Sequence, residues 1–368
     1  MPKNKKNLIF FMPFIDRGGV EKNLLLIANY FSKKISNIKV CTSSLNKRKI
    51  FNKNIKFLSP SIDAPEKINI RIKYFLCLYT LFKFLCSNKN TVVFTFQANI
   101  YCVLICKILN VKVIVRSNSS PSGWNHNFLK KFFYKLIMSK ADKIIVNSFE
   151  FRNQMQKELN LKTKCIYNPL DISIIKNKSN KGKNELFFKE KNLLKLVNIG
   201  RFTDQKDQIT ILKAINKLKL KLKLKLIIIG YGEKKYELFR YIKKNNLSRI
   251  VKIKDRISNP YKILYQSDVF ILSSKFEGLP NVLLEAAVLK KFIISTKCPT
   301  GPKEILLNGK GGLFFKIGNY KDLSNKIVFY NNNKKKLKQR TLATFKNLRK
   351  YDFDNNLKRY YYEVIKFL

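Results

Sequence analysis

The sequence predicts an α/β protein of two parallel-sheet domains that face each other across a cleft. Three observations carry this expectation. Apolar runs of strand length alternate with helical patterns, the alternation breaks once near the middle and restarts, and 368 residues suffice for two domains at about 150 residues each. Unbroken apolar strands belong to parallel sheets covered by helices on both faces. Hydrophobic residues make up 45% of the chain and aromatics 13%, enough for two cores, so wholesale disorder is excluded.

The elements follow in order. Residues 7–14 read as a buried strand, Gly18-Gly19 as a turn, and residues 21–31 as a helix that turns Leu24, Leu25, Ile27 and Ala28 inward. Further strands are expected at 39–42, 91–96, 111–116 and 143–147. The stretch 171–192 is polar, rich in Lys and Asn and without a sustained period, and 173–189 reads as a linker. Beyond it, strands at 193–199, 222–229, 251–253, 268–272, 292–295 and 312–315 are expected, with helices at 209–217 and 234–245. Residues 217–226 alternate Lys and Leu, a lysine tract running into a core strand. The first domain is therefore placed at 1–172 and the second at 190–351, with a tyrosine-rich helix inside 352–368 packing back on the first. Two like units in series are expected to bind ligand between them.

Composition narrows the partners. Lys and Arg number 75 against 23 Asp and Glu, a net charge of +52, yet only 12 of the 75 are Arg. Nucleic-acid readers favour the planar guanidinium, and no RRM, KH or zinc motif is present. A basic, non-enzymatic nucleic-acid binder is thus the alternative function, and no nucleic-acid partner is expected. Part of the basic excess is expected to meet an anionic membrane surface. The 7 cysteines are scattered without a CxxC, and His126 is the single histidine, which argues against a zinc site and a disulfide framework and for a reducing compartment. The opening MPKNKK and the short apolar run after it lack a small-residue cleavage site, so no signal peptide is expected. The longest uncharged stretch, 91–106, falls short of the roughly 20 residues of a membrane-spanning helix. The reading is a cytoplasmic protein, peripheral on the inner face of the plasma membrane.

The densest chemistry lies in SSKFEGLPNVLLE, which follows the strand at 268–272. Glu277 comes at the strand's carboxyl end, Gly278 allows close approach of a ligand, and a helix starting near Pro280 points free N–H groups of Gly278, Leu279 and Asn281 toward an anion. Glu285 lies about two helical turns on and shares that side. Glu277 could instead answer the helix dipole and Glu285 sit on the surface. A second strand-end loop, GRFTDQK, sets Arg201 and Lys206 where a diphosphate needs compensating charge. Gly18-Gly19 offers a close backbone approach. Gly230-Tyr231-Gly232 lacks the third glycine of GxGxxG and no acidic residue is read as closing the next strand, so a dinucleotide fingerprint is rejected. His126 lies in a turn-rich loop, and Asp352-Phe353-Asp354 is a DxD without a preceding strand, read as chance. No P-loop or GxSxG elbow occurs.

These residues resemble a known family. RGGVEKNLLLIANYF, TFQANIY, VNSFEFRNQM and YNPLD in the first half, then NIGRFTDQKDQITILKAI, IIIGYGE, SDVFILSSKFEGLPNVLLEAAVLKKFIISTKCPTGPKEIL and GGLFF, are similar to the GT-B glycosyltransferases of family 4, retaining nucleotide-sugar transferases on two Rossmann-like domains. Glu277 and Glu285 match the family's E-x7-E. The resemblance is nearest to bacterial enzymes that extend polysaccharide or lipid-linked oligosaccharide. It implies that Glu277 contacts donor-sugar hydroxyls, Glu285 holds the ribose, Arg201 and Lys206 neutralise the departing diphosphate, amides at Gly278 to Asn281 bind sugar or phosphate oxygens, and Gly19 lets a first-domain loop close. The family's histidine at a first-domain strand end is replaced here by Gln97-Ala98-Asn99, so Gln97, Asn99 or His126 is the expected sugar contact. What the resemblance implies is transfer of a hexose or N-acetylhexosamine from UDP- or GDP-sugar to a saccharide or lipid-linked saccharide. Neither metal nor cofactor is expected, the charge of the leaving group being met by side chains and amides.

Overall fold

The computed structural model describes residues 6–16, 18–60, 69–118, 128–255 and 257–368. It divides into two compact units, one of residues 1–169 with 353–368 and one of residues 170–352.

The first unit contains, in chain order, β1 (Asn7–Phe11), α1 (Gly19–Phe31), β2 (Ile38–Cys41), β3 (Lys56–Leu58), α2 (Ile70–Ser87), β4 (Thr91–Thr95) and α3 (Asn99–Ile108). Next come β5 (Lys112–Arg116), α4 (Phe128–Met138), β6 (Lys143–Val146), α5 (Phe149–Leu159) and β7 (Lys164–Cys165). Its described strands form one parallel sheet ordered β3-β2-β1-β4-β5-β6-β7. The chain moves outward from β1 to β3, then returns past β1 to β4. The point where the order reverses lies between β1 and β4, and that is where an open α/β sheet opens a crevice at its strand ends.

The second unit repeats the plan with α6 (Ile172–Asn180), β8 (Leu194–Ile199), α7 (Gln208–Leu218), β9 (Leu224–Ile229), α8 (Lys235–Lys244) and β10 (Val251–Lys254). It continues through α9 (Tyr261–Gln266), β11 (Val269–Leu272), α10 (Asn281–Val288), β12 (Phe292–Thr296), α11 (Pro302–Ile305), β13 (Leu313–Phe315), α12 (Tyr320–Asn332) and α13 (Lys334–Asn347). The parallel order β10-β9-β8-β11-β12-β13 puts its reversal between β8 and β11.

The last helix, α14 (Phe353–Ile365), belongs to the first unit and buries Leu357, Tyr360 and Val364 beside α1. The Tyr360 hydroxyl donates to Ile166 O at 3.1 Å and accepts from Arg116 Nε at 3.0 Å. Arg116 is completely buried and bonds Asn118 and Asn168 as well, so a charge without a carboxylate is held by polar partners and the faces of Phe96 and Tyr360.

One expectation needs correction. The segment expected as a linker folds: Asp171 accepts from Ile174 N at 2.9 Å and caps α6, which buries Ile175 and Ser179, and a 3-10 turn at Leu186–Phe188 buries Phe188. One inward residue per turn among Lys and Asn is too thin a stripe to register as a period. The Lys-Leu tract does run into a core strand. Lys217 and Leu218 end α7, Leu220 is exposed on a turn, and β9 starts only at Leu224. The edge strands β3 and β7 went unpredicted because three and two residues carry no pattern. All 7 cysteines are free, six of them buried, and burial pushes the thiols of Cys41 and Cys102 well up.

Candidate functional site

The second sheet parts where its order reverses. β8 pairs with β9 over six residues but with β11 only through Leu196 and Val197. One residue on, the Asn198 side chain donates to Ile271 O at 2.8 Å and bridges the diverging strands. The two loops that leave these strand ends carry the charged residues singled out above.

The loop after β8 is tied to the loop after β11 by several bonds. Lys275 N donates to Gln205 O at 2.8 Å, Gln205 Nε2 to Phe276 O at 2.9 Å, and Ser273 Oγ to Lys206 O at 2.6 Å. Across this junction the Lys206 ammonium donates to Glu277 Oε1 at 2.5 Å. Glu277 is 6% exposed. A carboxylate so buried requires a counter-charge, and Lys206 supplies it. Glu277 N donates to Pro299 O at 3.3 Å, and the Thr300 hydroxyl donates to Glu277 O, so the loop after β12 holds it from the other side. Thr300 itself has φ 59°, a strained conformation for a β-branched residue. The next residue, Gly301, has φ +84°, and a Cβ there would lie 2.3 Å from Gly278 O. Here the chain requires glycine twice over, for its conformation and for the space.

Gly278 and Leu279 lead to Pro280, which precedes the first residue of α10, Asn281. Leu279 and Asn281 each make an interaction of their own. Glu285 lies inside α10, is 7% exposed, and accepts from the Tyr261 hydroxyl at 3.1 Å. The structure does not pair it with Glu277. Arg201 is exposed, and its guanidinium bonds nothing among the described residues, while Gln208 Nε2 fixes its carbonyl at 3.0 Å. The hydroxyls of Thr203 and Ser274, one in each loop, are buried without a partner among the described residues, leaving unspent hydrogen-bonding capacity at the junction.

The GxG after β9 has a packing role. A Cβ at Gly230 would sit 1.9 Å from Gly200 O, and one at Gly232, where φ is +148°, 2.4 Å from Phe202 O. Asp255 does follow β10, contrary to the sequence reading, and receives a bond from Lys235 Nζ at 2.7 Å on the exposed surface.

In the first unit the reversal point presents Gly18-Gly19 after β1 and Gln97-Ala98-Asn99 after β4. Gly18 has φ −91° and ψ 178°, an ordinary extended conformation, so no unusual backbone explains the pair. What a side chain there would meet is the Glu21 carboxylate, 2.3 Å from a Cβ on Gly18. Gly19 opens α1. Ala98 has φ 53°, a strained position beside which Asn99 is already engaged: it accepts from Thr95 Oγ1 at 3.1 Å and donates to Arg116 O at 3.2 Å. Gln97 Oε1 accepts from Tyr74 Oη at 3.3 Å, and its amide nitrogen bonds nothing among the described residues. His126 lies outside the described residues. Asp352 and Asp354 fall on either side of the unit boundary, and no group of three or more His, Cys, Asp or Glu among the described residues could hold a metal ion.

Gln205, Ser273 and Thr300 lie in motifs quoted from the sequence but received no role there, and Tyr261 was not singled out. Each acts through a neighbour by one hydroxyl or amide, and no spacing in the sequence marks such a contact.

Comparison with known proteins bears on the family and the fold. Residues 179–345 match the model of the family described as glycosyl transferases group 1. Over 184 residues the chain is 36% identical to the uncharacterized glycosyltransferase MJ1059 of Methanocaldococcus jannaschii, covering 48% of this chain and 44% of that one. It is 27% identical over 328 residues to the N-acetylgalactosamine-N,N'-diacetylbacillosaminyl-diphospho-undecaprenol 4-alpha-N-acetylgalactosaminyltransferase of Campylobacter jejuni, covering 85% of this chain and 87% of that one. The crystal structure of Anabaena Alr3699/HepE in complex with UDP and glucose superposes with a TM-score of 0.80 at 15% identity, over 98% of this chain and all of that one. Residues 179–345, within the second unit, thus match the group 1 glycosyl transferases, and the chain has the two-domain α/β architecture of the GT-B fold.

Proposed function

We propose that the chain moves a hexose or N-acetylhexosamine from a nucleotide-diphosphate sugar, UDP-sugar before GDP-sugar, to a saccharide or lipid-linked saccharide in cell-surface polysaccharide synthesis. The observation that carries the reading is the buried Lys206–Glu277 pair, held by three loops at the reversal point of the second sheet. An ammonium offers three N–H donors, and one goes to Glu277, so Lys206 has two for a diphosphate. Arg201, uncommitted on the same loop, adds a fork for a second oxygen. Glu277 contacts donor-sugar hydroxyls near the anomeric carbon, Glu285 holds the ribose, and the backbone at Gly278, Leu279, Pro280 and Asn281 meets sugar or phosphate oxygens. Leaving-group charge is then met by groups fixed before the donor arrives. Transfer proceeds with retention, the departing phosphate oxygen taking the acceptor's proton on the face that the acceptor attacks. In the first domain Gly19 is the donor-binding residue of its loop and Gln97 the sugar contact.

The named activity of the Campylobacter relative, on an undecaprenol-linked acceptor, and the UDP in the HepE complex support this choice of substrates. The same acceptor class supports attachment of the chain to an anionic membrane. The test is donor hydrolysis and transfer by Glu277→Gln and Arg201→Ala. Glu277→Gln keeps a hydrogen-bond acceptor for Lys206, whereas alanine would strand a buried charge at about 3–5 kcal/mol. Turnover should fall by about 100-fold or more. Unchanged turnover in two natively folded variants contradicts the assignment.

A further inference from the structure

The first domain has a second apolar surface that its own core does not use. α2 turns Lys73, Cys77, Leu81 and Leu85 toward the sheet, yet Ile72, Phe75, Tyr79 and Phe82 form an exposed stripe on another face, Phe75 at 68%. α3 does the same with Tyr101, Leu104 and Ile108, the last 76% exposed, while Cys102, Val103 and Cys106 are buried. α4 buries Tyr134 and Met138 and exposes Leu129, Phe132, Phe133 and Leu136, spaced as one helical face. The three helices are neighbours, α2 against α3 and α3 against α4. An open apolar groove of about 300 Å³ runs between α2 and α3, with Phe75, Tyr79, Phe82, Tyr101 and Leu104 among its walls. A helix apolar on two faces has two partners, and the sheet is only one. A patch of this kind on a polypeptide surface marks a docking site.

Charge identifies the other partner. Between Glu66 and Asp142 the sequence has no acidic residue and 12 basic ones, so all 23 acids of the chain lie elsewhere. Uniform compositional drift toward lysine would not empty one stretch of acids. Arg71, Lys83, Lys135 and Lys140 are exposed around the stripes. A second copy of the chain would bring like charge against like charge. Anionic headgroups complement the lysines, and the apolar–polar boundary of a bilayer is where aromatic side chains settle. No helix among the described residues is long and apolar enough to cross a membrane, so the contact is with the surface.

We infer that the α2–α3–α4 face of the first domain is a docking surface for an anionic lipid bilayer, with Phe75, Tyr79, Phe132 and Phe133 entering the headgroup layer and the surrounding lysines on lipid phosphates. This gives the membrane attachment proposed above its surface, and its test needs no sugar transfer. The full chain is sedimented with phosphatidylcholine vesicles and with phosphatidylcholine–phosphatidylglycerol vesicles, at low and high salt. Wild type should bind the mixed vesicles at least about tenfold more tightly than the neutral ones, less so at high salt. Phe75→Ser with Phe133→Ser should lose at least about tenfold in binding to mixed vesicles with an unchanged melting temperature, since both rings are exposed. Lys83→Gln with Lys135→Gln should weaken binding and flatten its salt dependence. Mixed vesicles bound as well by the Phe75/Phe133 variant as by wild type would overturn the inference. So would a wild type that ignores both vesicles, or one that forms dimers dispersed by the same substitutions. A chain that binds vesicles through this face but turns over no nucleotide sugar leaves the docking surface standing and removes the transferase reading; active transfer to a soluble acceptor without vesicle binding does the reverse.

Discussion

Lys206 and Glu277 are 71 residues apart, and each was legible alone: charged residues just past apolar strands, one beside a glycine and the other on an arginine-bearing loop. Their direct bond was not legible, because it depends on β8 and β11 being neighbours. The strain that fixes Glu277 was hidden too. Thr300 at φ 59° and Gly301 at φ +84° lie in CPTGPKE, where only the Pro–Gly punctuation hints at a turn. Gly301→Ala should therefore cost about 2 kcal/mol or more in urea unfolding, and should lower transfer beyond what the lost folded fraction explains, since its Cβ pushes on Gly278 O and Pro280. An alanine variant with wild-type stability and turnover contradicts this account of the loop.

Element by element, long apolar strands and the glycine turns after them were readable because burial on both faces leaves an unbroken run. α6 was not, its inward face being one isoleucine and one serine among lysines and asparagines. What joins elements in so basic a chain is its few acids. Burial alone would raise the carboxyl groups of Asp142, Glu185 and Glu363. Bonds from Lys107, Lys254 and Lys366 in turn, with nearby lysines and, for Asp142 and Glu185, a backbone amide, outweigh burial and hold all three below the usual range. Asp142 thereby links α3, β5 and β6, Glu185 reaches β10, and Glu363 ties α14 to β6 and β7. With folded pKa values below the unfolded ones, their stabilisation is present above about pH 4 and is lost as pH falls through the folded values. Asp207, raised by burial, opposes this as a single group. Urea midpoints should hold from pH 7 to 5 and drop below 4; a midpoint at pH 3 equal to that at pH 7 contradicts the linkage.

For the molecule as a whole, part of the net charge of +52 is expected to meet an anionic membrane surface. Its meaning lies in its distribution, an acid-free stretch folding into three adjacent helices with aromatic outer faces. Helical periodicity would have exposed those faces had each helix been read for two stripes rather than one. The same holds for the sheets: two reversals of strand order, each with its candidate residues on the flanking loops, follow from topology, and a linear reading of strands cannot supply strand order. The central claim is that the loop after β8, braced by the loop after β11, holds a nucleotide diphosphate through Lys206 and Arg201. Calorimetric titration of UDP into wild type and into Arg201→Ala with Lys206→Gln tests it most directly. Wild type should bind UDP, and the double variant should lose at least about 100-fold in affinity, two charge-assisted contacts at about 1.5–3 kcal/mol each. Equal UDP affinity in the two proteins would contradict the account.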